Sequence, residues 1–285
     1  MQVPLLERRF VRIAEGLVHI RSLAGSGVPL LMVHASPASA RGLEPLMTAM
    51  KAEGVAAELI APDTLGNGDS APPMPDVPDI AYYADSLKRL LDVLKVDRID
   101  LYGAHTGART ACEFAILFPK RVNRVILDGI GIPPRELKEE YVAHLREVPP
   151  FDYNGTQLWW AWHSMRDMFT FFPYYARDAA HRRRRDTPPA EDLHERALDL
   201  LQNRATYAKA YIAAFLDNDG GRRYPDLKRP TLLTAAAMDS SGGAMDRVAA
   251  LIPDCTAKRY PPGVEPGDFR AVAPMFLSFL DGRGV

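Results

Sequence analysis

Apolar and polar positions follow two rhythms along this 285-residue chain. Residues 10–13 and 17–23 read as two strands across a Glu15-Gly16 turn. Leu30-Leu31-Met32-Val33 is a short unbroken apolar run after Pro29, as expected of a parallel strand buried on both faces. It ends in His34-Ala35-Ser36-Pro37, and a helix is predicted through Leu43, Met47 and Met50. The next strand, residues 58–61, runs into Pro62-Asp63 and the loop Gly66-Asn67-Gly68-Asp69-Ser70. Asp79 suits the N-cap of a helix with the apolar stripe Ile80, Tyr83, Leu87, Leu90, Leu91 and Leu94, spaced by three and four. A strand over 99–102, a helix over 106–118 stopped by Pro119, and a strand over 122–127 ending at Asp128 follow.

Strands alternating with helices predict an α/β fold with a mostly parallel central sheet. The alternation breaks after Pro133-Pro134, and residues up to Pro225 read as helical and aromatic, with one helix carrying Trp159 to Arg166 and a second over 207–215. It resumes at Pro230 with a strand over 231–235, Asp239 at its end, a helix over 245–251, a short strand over 256–260 and a final helix over 268–280. The expected organisation is a core of residues 1–132 and 226–285 and an inserted helical cap over 133–225.

Composition narrows the function classes. The chain is 47% hydrophobic and 25% charged with a net charge of −1, so nothing in its balance points to nucleic acid or a membrane. A small molecule is the expected partner, and a homodimer is compatible with the chain. Cys112 and Cys255 are far apart and lack metal-ligand spacing, which fits a reducing, cytoplasmic setting. Residues 1–12 carry Glu7, Arg8 and Arg9 and no long apolar run, so no signal peptide is expected. Phosphate-cradling glycine patterns and His/Cys/Asp clusters at metal spacing are also missing, so no cofactor and no metal are expected.

The stretch with chemical content is Tyr102-Gly103-Ala104-His105-Thr106-Gly107-Ala108-Arg109. Two glycines flank one polar residue at a strand-to-helix corner, the form of a nucleophile elbow, in which small neighbours let the backbone turn sharply and expose the middle side chain. The middle residue is usually serine, sometimes aspartate or cysteine; here it is His105. Imidazole at that corner has two uses. It can attack a carbonyl to form a labile acyl-imidazole, or act as general base on water or a substrate.

The chain resembles the α/β-hydrolase superfamily, most of all the branch of haloalkane dehalogenases, epoxide hydrolases and small esterases. The matching pieces are His34-Ala35-Ser36-Pro37, Ala61-Pro62-Asp63 with Gly66-x-Gly68-x-Ser70, the elbow, residues 121–127 and Arg229-Pro230-Thr231-Leu232-Leu233, over about residues 9–132 and 226–282. The resemblance implies an oxyanion hole from the Thr106 N–H and a second N–H from Ala35 or Ser36. It implies a structural hydrogen-bonding role for His34. Ser36 stands where the dehalogenases carry a halide-binding asparagine, so its hydroxyl either contacts substrate or serves the turn. The acid is either Asp239, the commoner position, or Asp128. The family's late histidine is missing: no histidine follows His194, and Glu265 takes its place in Tyr260-Pro261-Pro262-Gly263-Val264-Glu265-Pro266. The usual Ser-His-Asp chemistry is therefore absent, and a His105–Glu265 pair is expected instead.

In the cap, Trp159, Trp162, His163 and Arg166 share one helical face that suits either substrate lining or packing against the sheet. Three functions remain open. One is an enzyme with rearranged catalysis on a small carbonyl, ester or epoxide-like substrate. The second is a non-catalytic small-molecule binding protein, and the third an assembly partner that docks through its cap.

Overall fold

The computed structural model describes the chain except residues 1–4, 184–185, 218–220, 237–238, 240–241, 265–266 and 285. Its centre is an eight-stranded sheet. In chain order the strands are β1 (Leu6–Ile13), β2 (Gly16–Leu23), β3 (Leu30–Val33), β4 (Leu59–Pro62), β5 (Ile99–Ala104), β6 (Val122–Asp128), β7 (Thr231–Ala235) and β8 (Cys255–Arg259). They lie side by side in the order β1-β2-β4-β3-β5-β6-β7-β8. The first two pairings, β1 with β2 and β2 with β4, are antiparallel, and the others are parallel.

Successive side chains on a strand point to opposite faces, and the core divides accordingly. From β3, Leu31 and Val33 join one apolar layer, while Leu30 and Met32 join the other. The first layer is closed by α2 (Ile80–Leu94), α3 (Thr106–Leu117) and α8 (Met245–Ala249); the second by α1 (Glu44–Ala52) and α9 (Phe269–Leu280). Phe276 of α9 is fully buried against Tyr102, with ring centroids 5.7 Å apart. Truncating such a phenylalanine to alanine costs about 3–5 kcal/mol. Asp79 caps α2 by accepting from the Tyr82 N–H at 2.8 Å, as its position predicts.

Strand β1 starts four residues earlier than the pattern suggests. Its first residues, Glu7, Arg8 and Arg9, are exposed on the sheet edge and carry no apolar signal, yet they pair with β2. At the other end, α8 stops at Ala249, short of the expected Leu251.

Among the described residues, four α-helices are inserted between β6 and β7: α4 (Arg135–Leu145), α5 (Thr156–Thr170), α6 (Ala190–Gln202) and α7 (Tyr207–Leu216). They share an aromatic core in which Tyr141 stacks on Phe215 at 4.5 Å between centroids. Polar contacts tie α6 and the residues after it to the loops beyond β3 and β4. The Ser39 hydroxyl donates to Asp199 Oδ2 (2.8 Å), Gln202 Nε2 to the Gly68 carbonyl (2.9 Å), and the Thr206 hydroxyl to the Gly66 carbonyl (2.7 Å).

Candidate active site

His105 stands between β5 and α3 with φ 48° and ψ −106°. Among the described residues only Lys95 shares a positive φ outside glycine. Holding an L-residue there costs on the order of 1–3 kcal/mol, and such outliers gather at functional sites. The two glycines make the corner sterically feasible. A Cβ on Gly103 would lie 2.4 Å from the Gly107 carbonyl oxygen, and one on Gly107 would lie 2.2 Å from that of Val33. Bare backbone at both positions lets α3 begin directly against β3 and β5. The His105 N–H donates to the Asp128 carbonyl (2.8 Å), and the His105 carbonyl accepts from the N–H groups of Ala108 (3.1 Å) and Arg109 (3.2 Å).

The imidazole lies where a side chain at position 129 would be. A Cβ on Gly129 would sit 2.6 Å from its Cε1 and 2.7 Å from its Nδ1. From this position Nε2 lies 3.4 Å from Oδ2 of Asp239, four residues past the end of β7. The His105 side chain is 48% exposed and that of Asp239 only 7%, so solvent reaches the base and not the acid. At 3.4 Å the contact is an ion pair or a stretched hydrogen bond; catalytic contacts often lengthen this way in unliganded sites. A proton on Nε2 facing the carboxylate leaves the lone pair on Nδ1.

Asp128, the other expected acid, does not take this role. Both the Tyr102 hydroxyl (2.9 Å) and the Tyr260 hydroxyl (2.7 Å) donate to its Oδ2. Burial pushes its carboxyl up to about 6, against the hydrogen bond from Tyr260, the charge of His105 and the hydrogen bond from Tyr102. It braces the elbow through its main-chain carbonyl. Neither phenol stands out in the sequence, because Tyr102 reads as one more apolar strand position and Tyr260 as a strand end. Glu265, expected beside His105, lies outside the described residues.

Around the expected oxyanion hole the Ser36 amide is not free. The Ser36 N–H does point to the elbow, but it donates to the Thr106 hydroxyl oxygen at 2.6 Å. The Thr106 N–H is the first of α3 and has no partner within the helix, and the positive end of the helix dipole favours an anion there. The Ala35 carbonyl accepts from His34 Nδ1 at 2.9 Å and from the Ala38 N–H at 3.1 Å.

His34 is buried with both ring nitrogens engaged. Nδ1 donates to Ala35, and Nε2 accepts from the Thr64 N–H at 3.0 Å. It fixes the loop and has no nitrogen left for a substrate. The helical face of Trp159, Trp162, His163 and Arg166 divides. Arg166 bonds through Nε (2.9 Å) and Nη2 (2.7 Å) to Oδ1 of its neighbour Asp167, and Trp162 packs into the aromatic core of the inserted helices. Trp159, 66% exposed, and His163 line an open groove of about 600 Å³ with Arg146, Pro149 and Arg177, and neither His105 nor Asp239 lines it.

One further cluster, His19, Asp63 and Asp69, has metal-ligand chemistry. The Arg8 guanidinium fills the cation's place, donating to His19 Nε2 at 3.1 Å and to Asp69 at 3.0 Å. His19 Nδ1 meets Asp63 at 2.8 Å, and the group reads as a structural tie between β2 and the loop after β4. Hydrogen bonds from His19 and from the Asp69 and Ala40 N–H groups, with the charge of His34, hold the Asp63 carboxyl below its usual range although burial acts against them.

A family model described as alpha/beta hydrolase fold matches residues 28–263, and the chain belongs to this family. Within it the elbow residue is a histidine paired with an aspartate, an atypical catalytic arrangement. An uncharacterized protein of Mycobacterium bovis is 36% identical over 115 residues, 38% of this chain and 31% of that protein, so the match spans about a third of that relative. A 2-hydroxy-6-oxononadienedioate/2-hydroxy-6-oxononatrienedioate hydrolase of Pseudomonas putida is 25% identical over 248 residues, 79% of this chain and 77% of that protein. Among solved structures, a thermophilic esterase from Thermogutta terrifontis superposes with a TM-score of 0.69 at 21% identity, covering 97% of this chain and 98% of its own. No helix among the described residues is long and apolar enough to cross a membrane.

Proposed function

We propose that the chain is a cofactor-independent enzyme that cleaves a small carbonyl compound or ester beneath the helices inserted over residues 133–225, with His105 as general base. The observation that carries this reading is the imidazole at the strained corner with Nε2 3.4 Å from Asp239. The elbow side chain itself reaches the acid that, in the resemblance, orients a separate late histidine. One residue thus occupies the place of the nucleophile and supplies the base.

Nδ1 of His105 takes a proton from a water molecule as that water's oxygen bonds to the substrate carbonyl carbon. The carbonyl π pair moves to oxygen, and the resulting anion faces the N–H at the start of α3. The imidazolium, faced by the Asp239 carboxylate, then returns the proton to the leaving group as the scissile bond breaks. The name of the Pseudomonas putida relative, a hydrolase of an oxo-dienedioate, supports a small carbonyl acid as the substrate class.

The test is turnover of a panel of activated esters, epoxides and oxo acids before and after treatment with a sulfonyl fluoride and an organophosphonate. Turnover that survives both reagents is expected, because no serine sits at the elbow. Stoichiometric labelling of a serine with loss of turnover would contradict the proposal. Saturable binding without turnover would favour the carrier or receptor reading.

A further inference from the structure

We propose that the Thr106 hydroxyl, and not the Ser36 amide, is the second donor to the developing oxyanion. This rests on the reading of His105 as the base. The Ser36 N–H is already committed, since it donates to Thr106 Oγ1 at 2.6 Å. Thr106 is 7% exposed, and among the described residues nothing accepts the hydrogen of its hydroxyl. A buried O–H without an acceptor is costly, and a substrate oxygen is the group that relieves it.

Three features make the hydroxyl a good donor. Accepting from Ser36 polarises the O–H and strengthens it toward a further acceptor. The bond from the Ser36 N–H selects one rotamer of the β-branched side chain, so the hydroxyl is held before substrate arrives. Its own N–H heads α3, so both donors come from one residue at the positive end of a helix. Ser36 is then a positioning residue that acts through Thr106.

A competing arrangement uses the same contact in the opposite sense. The hydroxyl would be a plug over the Ser36 amide, swung aside when substrate binds. Thr106→Val separates the two, because it keeps the branched shape, deletes the hydroxyl and frees the Ser36 N–H. The probe is p-nitrophenyl acetate, with kcat and KM measured separately.

If the hydroxyl donates, Thr106→Val lowers kcat by about 10²-fold or more with little change in KM, the loss typical of one oxyanion donor. Thr106→Ser then recovers most of that loss. Thr106→Val turning over at or above the wild-type rate overturns the proposal, as does Thr106→Ser falling as low as Thr106→Val. Should the valine variant fail to fold, Thr106→Ala carries the same comparison. His105→Ala separates this proposal from the reading beneath it. If that variant is inactive while Thr106→Val is not, only the role of Thr106 falls. If it keeps wild-type turnover, or if the wild type shows none above the blank, the role of His105 falls as well.

Discussion

His105 and Asp239 come from the ends of two strands that are not neighbours in the sheet, β5 and β7, yet their side chains meet at 3.4 Å across the end of β6. The space between them is open because residue 129, just past β6, is glycine. Asp239 faces one ring nitrogen, Nε2, and its charge favours a proton there. Asp239→Asn keeps the size and removes the charge. Turnover is expected to fall on the order of 10²-fold, the scale of a general-base contribution, with KM less affected. Steady-state kinetics on an activated ester checks this.

Gly129→Ala should displace the imidazole. The new Cβ would lie 2.6 Å from Cε1, and the φ of 72° also disfavours an L-residue. A loss of about 1–3 kcal/mol in stability is expected from strain and overpacking together, with loss of turnover. Urea unfolding gives the first, and the histidine Cε1 proton signal in NMR reports whether the ring has moved.

The carboxyls of Asp128 and Asp100 are both pushed up to about 6 by burial. A carboxyl raised in the folded state binds its proton more tightly there than in the unfolded chain. Between the unfolded value near 4 and the folded value near 6, the folded state holds more protons, so this contribution to stability declines as pH rises and is flat above about 6. Asp128→Asn retains an acceptor for Tyr102 and Tyr260 and removes one titration. The pH 4 to 6 decline in unfolding free energy should be shallower in the variant, and an unchanged slope would contradict the assignment.

The inserted helices are anchored by a buried contact, the Ser39 hydroxyl on Asp199, with both residues at most 5% exposed. Burial raises the Asp199 carboxyl, against the Ser39 bond and the charge of Arg41. Ser39→Ala leaves a buried carboxylate without that donor and is expected to cost about 1–3 kcal/mol. If the pair is the cause, Asp199→Asn should shrink the cost in a double-mutant cycle followed by urea unfolding.

The sheet was legible because its central strands are apolar on both faces and its helices carry regular stripes; Leu30 to Val33 and the α2 stripe announce themselves. The elbow was legible because Gly103 and Gly107 sit at a fixed offset around His105. What surrounds it was not. Tyr102, Gly129 and Tyr260 lie on three different strands or their ends, and only the parallel register brings them to one place. The choice between Asp128 and Asp239 turns on which carboxylate the two phenols occupy, and spacing along the chain carries no trace of that. Helical periodicity put Trp159 and His163 on a face with Trp162 and Arg166, but it does not say which way α5 turns that face.

Everything proposed for this site depends on the imidazole at the elbow. The direct measurement is turnover of p-nitrophenyl acetate by the wild type and by His105→Ala, with the unfolding midpoint of each recorded to show that the variant is folded. A folded His105→Ala is expected to lose turnover to the level of the uncatalysed reaction, because no other base replaces the imidazole at the elbow. A folded His105→Ala that hydrolyses the ester at the wild-type rate would contradict it.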